Sequence, residues 1–406
     1  MIKRAARPWR RLTAAVLAGT AAINSPVPAG AAALSPRPDE WWFRTWSIQD
    51  KIWPTTRGAG VTIAVLDYGV NAKLPELSGA VVPGVDLIDQ STDGRVDLDS
   101  ESPGHGTAMT VQMVGRGGGA TGYVGIAPES KVLPIRVPVS TLDGDVLAKA
   151  ITTAVDRGAK VINMSFGQTS STFLPVHCSP QLAPAIGYAL EHDAVLVASA
   201  GNDGNADNAP EQPASCPGVL AVGGVTKNLT PWKKTQRQNY VTLAAPGADT
   251  TLVDKHGVPH SGAGTSSASA LTSAAVALIR AANPTMPART VVQRLFATAR
   301  PVGGPGWNDR TGFGWLDLAA AIDPRHHPVS ASSPNPLYDA YAHWQGSATS
   351  AKPSGPTAKS AQRADKHDHS SRVLWISGGA GTTLLVLIVG AALITSRVRK
   401  SSVRTR

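Results

Sequence analysis

The sequence predicts an α/β fold, a mostly parallel central sheet layered between helices, with one C-terminal transmembrane helix beyond it. Three observations predict it. Across residues 56–323, short apolar runs rich in β-branched residues and bounded by Gly or Pro alternate with stretches of helical period, the pattern of buried parallel strands joined by crossover helices. Residues 373–396 carry no charge and are long enough to span a bilayer. With 42% hydrophobic and 16% charged residues in 406, the chain is too apolar for disorder and too poor in charge for a coiled coil.

Taken in order, residues 61–66 (VTIAVL) and 132–137 (VLPIRV) are short and β-branched, as buried strands are. Residues 146–157 (VLAKAITTAVDR) put Leu147, Ile151, Ala154 and Val155 on one helical face and stop at Gly158, a glycine C-cap. Further strands are expected at 159–164, 194–200, 218–223 and 240–245, and helices at 180–192, 267–282 and 288–299. Right-handed crossovers would put helices on both faces, and ligands in such sheets bind beyond the carboxyl ends of the strands.

The formal net charge of +10 is concentrated at the ends. Lys3, Arg4, Arg7, Arg10 and Arg11 open the chain; Arg397, Arg399, Lys400, Arg404 and Arg406 close it, and without them 28 basic and 28 acidic residues remain. No nucleic-acid partner is therefore expected. The first basic cluster precedes an apolar run at 12–23 and small-residue cleavage sites near Ala33, so residues 1–33 read as a secretory signal peptide. The second follows the membrane helix as a cytoplasmic tail, 397–406, which leaves the bulk of the chain outside the cell. Residues 324–372, rich in Pro, Ser and Ala, read as a tether. Within it His326, His327, His367 and His369 are expected to be solvated rather than metal-bound.

Export favours a disulfide between Cys178 and Cys216, the two cysteines of the chain, over two buried thiols. Two cysteines cannot make a four-ligand zinc site, and neither metal nor cofactor is expected. The acidic stretch Asp86, Asp89, Asp93, Asp97, Asp99 and Glu101 lacks EF-hand spacing and reads as a solvated loop, with calcium binding as the alternative. Asp99 is also a weaker candidate for lining a substrate subsite. Residues 34–55 form an N-terminal extension in which Trp42 and Trp46 lie one helical turn apart. That spacing predicts packing onto the main domain, with or without a regulatory role.

Three sites fall where the strand-end rule puts chemistry. Asp67 ends the first strand (AVLDYG), His105 opens a helix (GHGTAM), and Ser266 (GAGTSSASA) begins a long helix of small residues, where glycines admit close backbone approach and the helix dipole favours negative charge. Singly these read as a turn, a structural His and a loop. Together, in the order Asp, His, Ser, with NMSFG at 163–167 and ASAGN at 198–202, they resemble the subtilisin-like serine proteases over residues 56–323. That resemblance implies a subtilisin-like three-layer fold in which His105 deprotonates Ser266 and Asp67 holds the imidazole. It also implies an oxyanion hole made by the Asn202 side chain and the Ser266 N–H. Ser165, Phe166 and Gly167 would pair with an extended substrate, and Ala200 and Gly201 would wall the primary side-chain pocket.

The interval between a cleavage near Ala33 and the first strand is too short for a folded propeptide. With TTRGAGVTIAV before the Asp, HGTA at the His, the two cysteines after NMSFG, the tether and the single C-terminal helix, the chain is similar to the mycosins, membrane-anchored proteases of type VII secretion systems. The resemblance implies membrane subunits of that machinery, the lipid bilayer and exported polypeptides as partners. It also implies a role in supporting the complex apart from proteolysis. A silent scaffold subunit and a general surface subtilisin are the alternatives. Two features depart from the family pattern. Tyr68 stands where Ser or Thr is usual, and GTSSASAL lacks the hydrophobic residue and the Pro that usually follow the Ser.

Overall fold

The computed structural model describes residues 34–350, apart from 142 and 171–176. The signal peptide expected at 1–33, the membrane helix at 373–396, the tail at 397–406 and the tether beyond 350 lie outside the described residues. No helix among the described residues is long and apolar enough to cross a membrane.

The strands are β1 (Thr62–Asp67), β2 (Val85–Asp86), β3 (Lys131–Arg136), β4 (Val161–Met164), β5 (Gln168–Thr169), β6 (Val195–Ser199), β7 (Glu211–Gln212), β8 (Val219–Val225), β9 (Val241–Pro246), β10 (Thr250–Val253) and β11 (Pro259–Gly262). Seven of them form the central sheet in the order β2-β3-β1-β4-β6-β8-β9, every neighbour parallel. Short antiparallel pairs, β5 with β7 and β10 with β11, stand apart. The helices are α1 (Trp42–Thr45), α2 (His105–Val114), α3 (Gly144–Asp156), α4 (Leu182–Glu191), α5 (Thr265–Ala282), α6 (Ala288–Ala297), α7 (Leu318–Ile322) and α8 (Pro336–Ser350).

Strand alternation sorts the side chains into two cores. Ile63 and Val65 of β1 join α2, α5 and α6 in one, while Ala64 and Leu66 join α3 and α4 in the other. The sheet is thus buried on both faces, which is why its strands read as continuous apolar runs. From β1 the chain works outward to β3 on one side and β4 on the other. The crevice of the fold therefore lies beyond the carboxyl ends of β1 and β4.

The N-terminal extension is packed, as its tryptophan spacing predicts. Trp42, Phe43, Trp46 and Ile48 are buried, and each such apolar side chain contributes roughly 1.5–3 kcal/mol. The Trp46 indole donates to Leu316 O (2.7 Å) and the Trp53 indole to Ile126 O (2.8 Å). Glu40 is buried with them and accepts from the backbone of Arg37 and Val124. Burial pushes its carboxyl up to about 8.

Two expectations change. The tether expected from 324 is in part docked structure. Residues 336–350 form α8, whose Leu337 and Tyr341 are buried and whose Tyr341 hydroxyl donates to Ala183 O. Its apolar positions are spaced among Ala and Ser, which hid the helical period. The acidic stretch is not simply solvated either. Asp86, Asp97 and Asp99 are buried, the first against Arg136 at 2.7 Å. Among the described residues no group of three or more His, Cys, Asp or Glu is placed to hold a metal ion.

Candidate active site

Asp67 is the last residue of β1 and fully buried. Its Oδ2 lies 2.8 Å from His105 Nδ1, and its Oδ1 accepts the Tyr68 N–H at 2.9 Å. Both carboxylate oxygens are thus engaged, which fixes the plane of the group and the tautomer of the imidazole. His105 reaches Asp67 because α2 begins against the end of β1. A Cβ on Gly106 would lie 2.9 Å from Asp67 Cβ and 2.2 Å from Gly69 O, so the helix start admits only glycine there.

The buried acids of the acidic loop hold that helix start. Asp99 accepts from His105 N (3.0 Å) and from the hydroxyl of Ser102, and Asp97 accepts from Thr107 N (3.1 Å). These carboxylates satisfy amides that an α-helix leaves unpaired at its N-terminus. Partial withdrawal from water pulls the His105 pKa down, but the charge and hydrogen bond of Asp67 and the charges of Asp99 and Asp97 outweigh it. The net shift is upward.

Ser266 is the second residue of α5. Its hydroxyl donates to Ser165 O at 2.9 Å, and Ser165 Oγ donates back to Ser266 O at 3.1 Å. Asn163, buried next to the end of β4, accepts from Ser269 and Ser273 of α5, and its Nδ2 donates to Ser165 Oγ at 2.9 Å. One amide therefore ties the serine helix to the strand beside Asp67. Asn202 Oδ1 accepts from Thr265 N and Thr265 Oγ1. Since a backbone N–H can only donate, that end of the amide is the oxygen and Nδ2 is the open end. A Cβ on Gly264 would lie 3.8 Å from Ser266 N and 3.9 Å from both Oδ1 and Nδ2 of Asn202, so the Asn202 amide and the start of α5 lie close together around Gly264.

His105, Asn202 and Ser266 line a single cleft of about 350 Å³, together with Ser165, Phe166, Gly167 and Gly201. Of the residues expected to contact substrate, Ala200 is fully buried and does not line it. Asp99 does line it. No residue of the N-terminal extension from 34 onward is among the lining groups. Cys178 and Cys216 are disulfide-bonded.

The subtilase family model matches residues 58–314. The chain belongs to the subtilase family. Among similar subtilases, mycosin-4 of Mycobacterium tuberculosis is 34% identical over 339 residues, 71% of each chain. The crystal structure of MycP1 with its N-terminal propeptide removed superposes with a TM-score of 0.63 at 28% identity, covering 73% of this chain and 99% of that one. The MycP3 protease of the type VII (ESX-3) secretion system gives 0.58 at 30%, covering 73% and 90%. This subtilase is a serine peptidase of the mycosin branch.

Three contributors to the cleft escape a reading of the sequence. Asn163 opens the NMSFG motif and Asp97 stands in the acidic stretch, but the buried, element-tying role of each is marked by no local pattern. Glu211, on β7, lines the cleft from a segment with no motif of its own. Tyr68, the departure from the family pattern, leaves the Asp67 hydrogen bonds intact, because it supplies its backbone N–H. Its phenol accepts from Ser140 N at 2.8 Å and lies 3.2 Å from Glu101 at the cleft edge.

Proposed function

We propose that this subtilase is a membrane-anchored extracellular endopeptidase of a type VII secretion system that cuts exported polypeptides with Asp67, His105 and Ser266. The observation that carries the catalytic part is the 2.8 Å contact of His105 Nδ1 with a fully buried Asp67, in a cleft shared with Ser266. His105 takes the Ser266 proton as the hydroxyl attacks the scissile carbonyl, and Asp67 stabilises the imidazolium that forms. The oxyanion that develops is held by Asn202 Nδ2 and the Ser266 N–H, preset donors that cost no reorganisation. The proton then passes to the leaving amine, and water repeats the sequence on the acyl-enzyme. An extended substrate pairs along 165–167, its primary side chain between that segment and Gly201. Anchoring rests on the uncharged run 373–396 and its basic flank. The type VII setting rests on the mycosin relatives and on MycP3, itself a protease of such a system.

The test is peptide cleavage by the full-length chain beside Ser266→Ala. Loss of cleavage in a folded variant is expected, and retained cleavage removes the assignment. A second reading, a subunit whose site is silent, draws on the Ser266 hydroxyl, which donates to Ser165 O rather than to His105. Catalytic hydrogen bonds often close only around substrate, and a rotation about the Cα–Cβ bond redirects the hydroxyl. Secretion by a Ser266→Ala strain separates the two: undiminished export of all substrates favours the silent subunit, and accumulation of uncut protein favours the peptidase.

A further inference from the structure

Glu211 sits where an acid is unexpected. Its backbone is fixed by pairing with Thr169 across β5 and β7, and its N–H donates to the Tyr240 hydroxyl at 3.1 Å. The side chain turns into the slot between two glycines of the cleft. A Cβ on Gly167 would lie 2.2 Å from Glu211 Oε2, and one on Gly201 would lie 2.8 Å from Oε1. The carboxylate thus occupies the space between the two segments that flank the primary side-chain position, and it fits because both carry glycine.

This carboxylate is undersupplied. Gln236 Nε2 reaches Oε1 at 3.3 Å, and among the described residues Oε2 accepts no hydrogen bond. Gln236 is itself 1% exposed and leaves its Oε1 without a donor. This corner therefore carries one buried acceptor without a donor, Gln236 Oε1, beside a half-buried carboxylate that lines the cleft. The lining of the cleft adds Asp99, Glu101 and Asp203 and contains neither Lys nor Arg. Burial pushes the Glu211 carboxyl up to about 7, with the charges of Asp203 and Asp207 adding to it. A cation is what the position lacks: an ammonium brings three donors and a guanidinium five, whereas an apolar side chain would strip water from the carboxylate and return nothing.

Resting on the peptidase reading of this cleft, we propose that Glu211 selects substrates with lysine or arginine at the residue before the cut bond. The test uses the full-length chain in detergent and fluorogenic peptides that differ only at that residue, which is lysine, arginine, norleucine or glutamate. Wild type is expected to favour lysine and arginine over norleucine. Glu211→Gln should lower the lysine-to-norleucine ratio of kcat/KM by about 10- to 100-fold, the weight of a hydrogen-bonded charge pair, and raise cleavage after norleucine. Glu211→Lys should turn the preference toward glutamate. A wild-type enzyme that cuts after norleucine as well as after lysine overturns the proposal without any variant. So does an unmoved ratio in a Glu211→Gln protein that still cleaves. Wild type that cuts none of the peptides and takes no fluorophosphonate overturns the peptidase reading itself, and this inference with it.

Discussion

Two sides of the cleft treat their carboxylates in opposite ways. On the α2 side, Asp67, Asp97 and Asp99 are each matched by donors from His105, Tyr68, Thr107, Ser102 or backbone amides. On the β5 and β7 side, Glu211 takes one long bond from Gln236 among the described residues. Burying a polar group costs free energy unless it is hydrogen-bonded, so the three buried acids are matched and hold geometry, while the half-buried Glu211 keeps an oxygen available at the cleft for the side chain proposed above. Asn163 belongs with the first kind, a buried amide with partners at both its oxygen and its nitrogen that fixes one element against another.

The largest break in this contrast is Asp67→Asn. The amide cannot accept the Nδ1 proton in the same way, so kcat should fall about 10⁴-fold with the fold intact, read by peptide hydrolysis and circular dichroism. Asn202→Ala removes one of the two donors proposed for the developing oxyanion. It should lower kcat by about 10²- to 10³-fold with KM little moved, a split read by steady-state kinetics. Asn163→Ala leaves two buried hydroxyls of α5 without their acceptor and should cost ~2 kcal/mol of stability, measured by urea denaturation. The smallest effect is Asp99→Asn. His105 acts as a base only when neutral, and Asp99 helps to raise its pKa, so activity should be lost as pH falls through a value raised from that of an ordinary histidine. Removing the Asp99 charge should move that acid limb to lower pH, checked by the pH profile of kcat/KM. A limb that stays in place would mean Asp99 serves α2 alone.

The sheet was legible in the sequence because burial on both faces leaves unbroken apolar runs such as 61–66 and 194–200, with strand ends within two residues of those observed. Asp67, His105 and Ser266 were legible as candidates because each stands in a short motif with tight backbone demands, Gly106 among them, and the fold brings His105 against Asp67 and into one cleft with Ser266. What stayed hidden was held by long-range contacts. The two-residue strands β5 and β7 are too short to carry a period, so nothing pointed to Glu211. Asp97 and Asp99 read as surface acids because their donors come from a helix start several residues away. Residues 336–350 read as a tether because a few buried side chains, Leu337 and Tyr341 foremost, dock a helix that is otherwise Ala- and Ser-rich.

The most direct test of the central claim is to treat the full-length protein with a fluorophosphonate and map the modified peptide, with Asp67→Asn alongside. The account predicts a single adduct on Ser266, formed far more slowly in the variant. A folded protein that takes no label, or takes it on another residue, would contradict the triad and leave the cleft without its proposed nucleophile.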